Sequence, residues 1–488
     1  MALVLGLVSL VLFVVRVYAT AHVGFGDSEA LYACYALHPQ PAYLDHPGLV
    51  GTVARLVGGG TAPSPLAAHV VTSLAATAFP WVMVLACRAA GAQWRRAMAA
   101  GIVVALVPEI AVGLFALTPD LLCAFAWALC ITAAAAGLRA RPGGAAATAA
   151  FAAAGLLAGV AAASKVTGLA LFVALTAAYA ATPARAHART VGPWAGLLAG
   201  LLVVAPVALL EARTGWPMLR HRLVDTQASA GLSLRNVGAL VGGQLVYLSP
   251  LVAVLAVLAF REMWRGRDDA VGRLLLASTL LPLAALLPLC LWSRVAEPHW
   301  IAPALLALVP AAARAPSAPP QRLVVASAAL GGLLVAAVHA WALVPSAIRL
   351  APASYDPRLD LTNELYGWPR VAAVARDEAL SAWTPGTERG DVAIVGPHWV
   401  VCAQLEAALR GTLPVGCDSP IRDDFDRWYP RASWHDADTI VWVTDRRFGP
   451  APALPSHVVL RSREVQVQRD GHVVRVFDVT VLARRAAA

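Results

Sequence analysis

Long apolar runs broken by short polar segments set the pattern of this chain. Uncharged or nearly uncharged stretches near 2–20, 66–87, 97–117, 121–138, 147–163, 166–182, 193–211, 241–260, 274–292, 300–313 and 323–344 each read as a helix crossing a hydrocarbon layer. The breaks between them alternate in character. One set, RAAGAQWRR (88–96), RARPGG (139–144), TPARAHART (182–190), REMWRGRDDAVGR (261–273) and RAPSAPPQR (314–322), carries at least two arginines in every member. The other set is residues 21–65, TPD (118–120), SK (164–165), residues 213–236 and WSRVAEPHW (292–300). Because cytoplasmic loops collect arginine, the first set is placed inside and the second outside. About 11 helices then put the N-terminus in the cytoplasm and the C-terminus outside it, in a multi-pass protein of the inner (cytoplasmic) membrane.

From about residue 346 the period changes. Short β-rich runs, DVAIVG (391–396), DTIVWVTD (438–445) and HVVRVFDVTVL (472–482), alternate with helical stretches at 369–383 and 399–411. The expected fold is therefore an all-α polytopic membrane domain (1–345, with a first exported loop at 21–65) and a small extracytoplasmic α/β domain (346–488).

Composition agrees with the pattern. Among 488 residues 59% are apolar and 14% charged, more apolar surface than a soluble domain can hide. The net charge of +9 invites a nucleic-acid reading, but the arginines lie between apolar spans, where topology needs them. The first run lacks a basic flank and a clear cleavage site, so it is read as a retained helix, with Arg16 reaching along its stem toward an interface. Four cysteines, Cys87, Cys123, Cys130 and Cys290, read as small helix residues, whereas Cys402 and Cys417 fall in the exported region and either pair or stay free.

Chemistry gathers in the second set of breaks. The first loop holds Asp27, Glu29, Asp45 and His46; TPD holds Asp120; SK holds Lys165; and the 292–300 turn holds Arg294, Glu297 and His299. Ionisable groups near hydrocarbon are costly unless they face a cavity or a partner, and on one membrane face they can line one pocket. Lys165 is the only lysine of the chain, a compact point charge suited to phosphate. Each group also has a plainer reading. Asp27 and Asp120 can cap helices, Asp45 can shape a turn, and Lys165, Arg294 and His299 can anchor at an interface. Glu109 reads as a buried, hydrogen-bonded acid, and Arg220, His221 and Arg222 as a lipid-headgroup cluster.

In these residues the chain resembles the bacterial GT-C glycosyltransferases (family 39-like), relatives of the dolichyl-phosphate-mannose protein mannosyltransferases and aminoarabinose transferases. The resemblance runs through GDSEALY…YLDHPGLVG, LTPDLL (117–122), GLLAGVAAASKVTGL (155–169), GWPMLR (215–220), GGQLVYLSP (242–250), EPHWIAPA (297–304) and LYGWP (365–369), in order. Two departures stand out: Ser28 splits the adjacent acidic pair, and Gly48 replaces a second proline.

The resemblance implies an inverting glycosyltransferase that moves a sugar from a polyprenyl-phosphate donor to a hydroxyl of an envelope lipid, glycan or protein at the outer face. It implies Asp27 as the base, with Glu29 as the other choice, and Asp120 either orienting the acceptor or sharing a divalent cation (Mg²⁺ or Mn²⁺) with Asp27. Lys165, His46, Arg294 and His299 are candidates for the donor phosphate, and Tyr32, Asp45 and Glu297 for other substrate contacts. A transporter or flippase of envelope precursors is the rival class, since buried charges among many spans would serve it too. A non-catalytic envelope-assembly partner is a third reading; it leaves the first-loop acids without purpose.

Overall fold

The computed structural model describes residues 1–227, 230–293, 297–382 and 392–485. Among the described residues seven helices are long and apolar enough to cross a membrane: Ala2–Thr20, Pro65–Ala89, Pro119–Arg139, Ala145–Ser164, Val191–Thr214, Ala270–Trp292 and Gln321–Leu343. Two bent pairs, Trp94–Ala105 with Pro108–Phe115 (71°) and Leu234–Tyr247 with Pro250–Arg265 (99°), raise the number to nine if each is one span. This is an integral membrane protein with fewer full spans than the eleven expected. The run at 166–182 forms only the shorter apolar helix Val166–Ala180. The run at 300–313 divides into Ala302–Leu305 and Leu308–Arg314. Proline supplies part of the reason: Pro108 and Pro250 open new helices where a continuous one would need their missing N–H.

The first bent pair also corrects the reading of Arg16. Its side chain does not reach an interface; it is 2% exposed and donates through Nε and Nη2 to Ala111 O at 3.2 and 2.8 Å, and through Nη1 to Thr77 Oγ1 at 3.2 Å. A helix that ends inside the spanning region leaves carbonyls without partners, and the guanidinium supplies the donor. Elsewhere small residues allow close packing. A Cβ on Gly155 would sit 2.0 Å from Gly196 O, so the Ala145–Ser164 and Val191–Thr214 helices meet backbone to backbone.

The C-terminal domain carries a five-stranded sheet in the order β2-β1-β3-β5-β4, from β1 (Val392–Gly396), β2 (Val415–Cys417), β3 (Thr439–Asp445), β4 (His457–Arg469) and β5 (His472–Arg484). Strand β1 runs parallel to β2 and β3, with Ile394 opposite Val441, and β5 runs antiparallel to β3 and β4. The helices Trp368–Ala382 and Trp399–Leu409 answer the helical stretches expected here. Cys402 and Cys417 are free and buried, with their thiols donating to Gly416 O and Asp423 Oδ2.

This domain is joined to the first loop by a common core that includes Phe25, Leu31, Tyr35, Val401, Leu405 and Phe477. Polar contacts fix the fit: Cys34 Sγ to Ala403 O (3.3 Å), His38 Nε2 to Glu406 Oε1 (2.8 Å), Arg410 Nε to Ala62 O (3.1 Å), and Leu44 N to Asp424 Oδ1 (3.2 Å).

Candidate active site

The sequence-derived candidates fall into two charged groups, one at each end of the short first-loop helix Asp27–Cys34. The group at the Tyr32 end draws on five separate segments. Lys165 follows the end of its helix in extended conformation (φ −148°, ψ 135°), and Nζ reaches Asp120 Oδ1 at 2.5 Å. His299 Nε2 stands 3.9 Å from the other oxygen of Asp120. Asp120 enters at the start of Pro119–Arg139, where Thr118 caps the helix through Leu121 N; the cap is therefore Thr118, and the Asp120 carboxylate is free for Lys165.

His46 lies within electrostatic reach of Lys165, Asp120, His299 and Arg222. Its ring packs edge-on against Tyr32 at 5.6 Å. Arg222 Nη2 contacts His46 Nε2 at 3.3 Å and Asp45 Oδ1 at 3.0 Å, and its Nε donates to Asp45 O at 3.2 Å. Since a guanidinium can only donate, His46 Nε2 accepts and its proton sits on Nδ1. His221 Nε2 is 3.8 Å from Asp45 Oδ1, and the Arg222 guanidinium lies 5.9 Å from the Trp300 ring.

Burial and the neighbouring cation Arg222 hold His46 well below its ordinary value, and burial followed by Lys165 lowers His299 to about 4. Both rings are neutral at neutral pH, which leaves Lys165 and Arg222 as the cations of this group among the described residues. Arg222 and His221, read from sequence as a headgroup cluster, thus join the site. The signal available was their position just after the GWP turn, on the same side as the other polar breaks. Glu109 is half-buried rather than enclosed and lies within reach of the Asp120 and Lys165 charges. Glu297 is exposed at the start of the turn that carries His299. Arg294 lies outside the described residues.

At the other end of the helix, Asp27 is 7% exposed and held by the C-terminal domain. Gln404 Nε2 donates to Asp27 Oδ1 (3.2 Å) and Arg447 Nη2 to Oδ2 (3.3 Å), while Asp27 N donates to Glu364 Oε2 (3.4 Å). Burial raises the Asp27 carboxyl above its ordinary range against the pull of Arg447 and Arg475. Burial, then the charge of Asp27, raises Glu364 to about 7.

Glu29 points elsewhere. Its oxygens accept from His69 Nε2 (3.0 Å) and Leu117 N (2.7 Å), and it is 3% exposed. That carboxylate ties the first loop to two neighbouring segments. A cleft of about 290 Å³ borders the Asp27 network, lined in part by Asp360, Asn363, Glu364, Asp445, Arg447 and Arg475.

The expected shared cation on Asp27 and Asp120 does not fit this arrangement. Each acid is paired with its own cation, and among the described residues no group of three or more His, Cys, Asp or Glu side chains stands together as a ligand set.

Broken apolar helices, polar groups collected at their breaks and an α/β domain seated on the first loop make up a membrane-protein fold that solved structures share. The comparisons agree. Residues 49–209 match the family described as Dolichyl-phosphate-mannose-protein mannosyltransferase. ArnT from Cupriavidus metallidurans in the apo state superposes with TM-score 0.64 at 16% identity, covering 98% of this chain and 97% of that one. The same protein bound to undecaprenyl phosphate gives 0.64 at 17% identity, covering 100% and 98%. An oligosaccharyltransferase from Archaeoglobus fulgidus, in complex with Zn and sulfate, gives 0.50 at 12% identity, covering 90% and 68%. At such identities the likeness is one of fold. No curated protein sequence matches the chain.

Proposed function

We propose that this protein is a membrane glycosyltransferase that moves a sugar from a polyprenyl-phosphate carrier to an acceptor hydroxyl on the extracytoplasmic face, with inversion. The observation that carries this reading is the separation of the two charged groups along one helix. Asp27 and Tyr32 are five residues apart, about 7.5 Å along the axis. In-line displacement at an anomeric carbon needs the leaving phosphate on one side of the ring and the base that takes the acceptor's proton on the other.

In this assignment Lys165 and Arg222 stabilise the departing phosphate, with the neutral His46 and His299 able to donate hydrogen bonds to it. Asp27 takes the proton, and its raised pKa brings it nearer the operating pH than an ordinary carboxylate. Asp120 and Asp45 hold Lys165 and Arg222 in place. Glu29 serves as an anchor of the first loop, and Tyr32 packs His46 into position. The cleft beside Glu364 and Arg447 offers the acceptor a way in, whether lipid, glycan or protein. The carrier is kept in the bilayer by its apolar chain, and the relative solved with undecaprenyl phosphate supports such a donor. The domain division at 345 and 346 and an exported C-terminus belong to the same proposal.

The bent pairs are also features of transporters. The test is turnover: purified protein is given a panel of polyprenyl-phosphate-linked sugars with total envelope lipid and glycan as acceptor, and release of polyprenyl phosphate is measured. Release that Asp27→Asn abolishes supports the enzyme. Movement of the intact carrier lipid across vesicles without sugar transfer would replace this reading by the transporter.

A further inference from the structure

We propose that Arg447 is a positioning residue for Asp27, so that the C-terminal domain completes the active site instead of only covering it. The inference rests on the reading of Asp27 as the base. In open parallel sheets, ligands bind beyond the carboxyl ends of the strands where the strand order reverses. Here that place lies between β1 and β3, the central neighbours in the order β2-β1-β3.

Beyond the end of β3 comes the turn Arg446–Phe448, and beyond the end of β1 the helix Trp399–Leu409. His398 and Phe448 stack across the gap at 4.4 Å. The group received beside these strand ends is a side chain of the first loop. Gln404, from the helix after β1, takes one oxygen of Asp27, and Arg447, from the turn after β3, takes the other. Gln404 Nε2 also donates to Phe25 O at 2.9 Å, and Gly24 N donates to Leu365 O at 2.8 Å, so the chain leading into the acid is fixed as well.

Arg447 is itself braced. Its Nε and N donate to Asp445 Oδ2 and Oδ1 at 2.8 and 3.0 Å, and its Nη1 lies 3.8 Å from Glu364 Oε1. Asp445, the last residue of β3, is held in turn by Arg475 Nη2 at 2.6 Å. The sheet thus fixes Asp445, Asp445 fixes the plane of the guanidinium, and the guanidinium fixes which way the Asp27 carboxylate faces. A purely structural latch would need none of this orientation; an apolar contact already joins the two parts. For a base that must meet a hydroxyl at hydrogen-bond distance, orientation is the quantity that sets rate.

The experiment compares Arg447→Met, Arg447→Lys, Asp27→Asn and the double variant Asp27→Asn/Arg447→Met in the full-length protein. Turnover is read as polyprenyl phosphate released from the donor panel, and donor affinity as the Kd for undecaprenyl phosphate. Loss of one charge-assisted hydrogen bond predicts that Arg447→Met lowers kcat about 10- to 100-fold while the Kd stays within about threefold. Arg447→Lys keeps the charge but not the planar fork, so it recovers only part of the loss, and the double variant is no slower than Asp27→Asn alone.

If Asp27→Asn turns over normally, the base reading fails and the positioning role with it. If Asp27→Asn is inactive but Arg447→Met is not slowed, the positioning role alone fails. Should Met at 447 prevent folding, Gln404→Leu tests the same restraint on the other oxygen: a kcat loss of about three- to tenfold is expected, and an unchanged kcat overturns the proposal.

Discussion

Replacing Lys165 by methionine should weaken the donor's hold on the site far more than replacing it by arginine. The side chain is 5% exposed and its Nζ sits 2.5 Å from Asp120 Oδ1. A polyprenyl phosphate entering here would share that ammonium with Asp120. Two unit charges at about 4 Å attract by about 4 kcal/mol at an effective dielectric near 20. After desolvation, a hydrogen bond to a charged group contributes only about 1.5–3 kcal/mol net, which is about 10- to 100-fold in affinity. Lys165→Met should therefore raise the Kd for undecaprenyl phosphate by that factor, with Lys165→Arg within about fivefold of wild type because the charge is kept. The partner variant separates contact from scaffold. Asp120→Asn frees the ammonium, so donor affinity should hold or improve even if the thermal midpoint falls. The assay is lipid-phosphate binding in detergent, paired with thermal unfolding of each variant. Equal losses in the Met and Arg variants, or a Kd within about threefold of wild type in both, would refute the phosphate role.

Arg16→Leu should destabilise the membrane domain by about 1–3 kcal/mol, because it strands Ala111 O in a buried setting; thermal unfolding in detergent measures it, and an unchanged midpoint refutes the helix-end account. Glu29→Ala should lower the thermal midpoint while the Kd for undecaprenyl phosphate stays within about threefold, since its partners are His69 and Leu117 N. Burial, then the charge of Asp45, raises Asp424 to about 7. Between its ordinary value and that one the folded carboxyl stays protonated while the unfolded one ionises, so rising pH costs stability across that window. Asp424→Asn, whose amide oxygen can still accept from Leu44 N, should raise the midpoint more at pH 8 than at pH 4, and an equal gain at both would count against it. A reporter fused after residue 488 should be active outside the cytoplasm; a cytoplasmic signal overturns the topology.

Much of the architecture could be read from the chain because hydrophobicity is a local signal. The seven long helices coincide with apolar runs, and β1, β3 and β5 coincide with β-branched runs. Strand β4 escaped because HVVLRSREVQVQR is an edge strand with most of its residues exposed, so its pattern is diluted by arginine and glutamine. Strand β2 is three residues long, too short for any period to register. The expected count of spans failed where composition and length disagree: residues 166–182 and 300–313 are apolar enough, but a serine–lysine break and internal prolines shorten them. Residue type singled out Lys165, Asp120 and His46, which the fold brings together, whereas pairing stayed hidden. That Arg447 would meet Asp27 across 420 positions, or that Glu29 would turn to His69, depends on how the C-terminal domain and the neighbouring spans pack, which no local window contains.

The interruptions themselves explain why the charged residues are where they are. Lys165 stands at a break in a helical run, Asp120 follows a Thr-Pro start, Glu109 follows Pro108 at the first bent pair, and His299 sits in a short 3-10 turn. Backbone that leaves the helix at membrane depth exposes N–H and C=O groups that lipid cannot satisfy, so such breaks persist only where protein or water meets them. Such a place is also one where an ammonium or a carboxylate can be kept ionised at bearable cost. Arg16 shows the converse at Ala111, where a charged side chain is spent on closing a helix end and takes no part in the polar group around Lys165. A substrate phosphate arriving at the Lys165 end would meet cations already held by acids, so binding reorganises little; that preorganisation is what a charge-stabilising site requires.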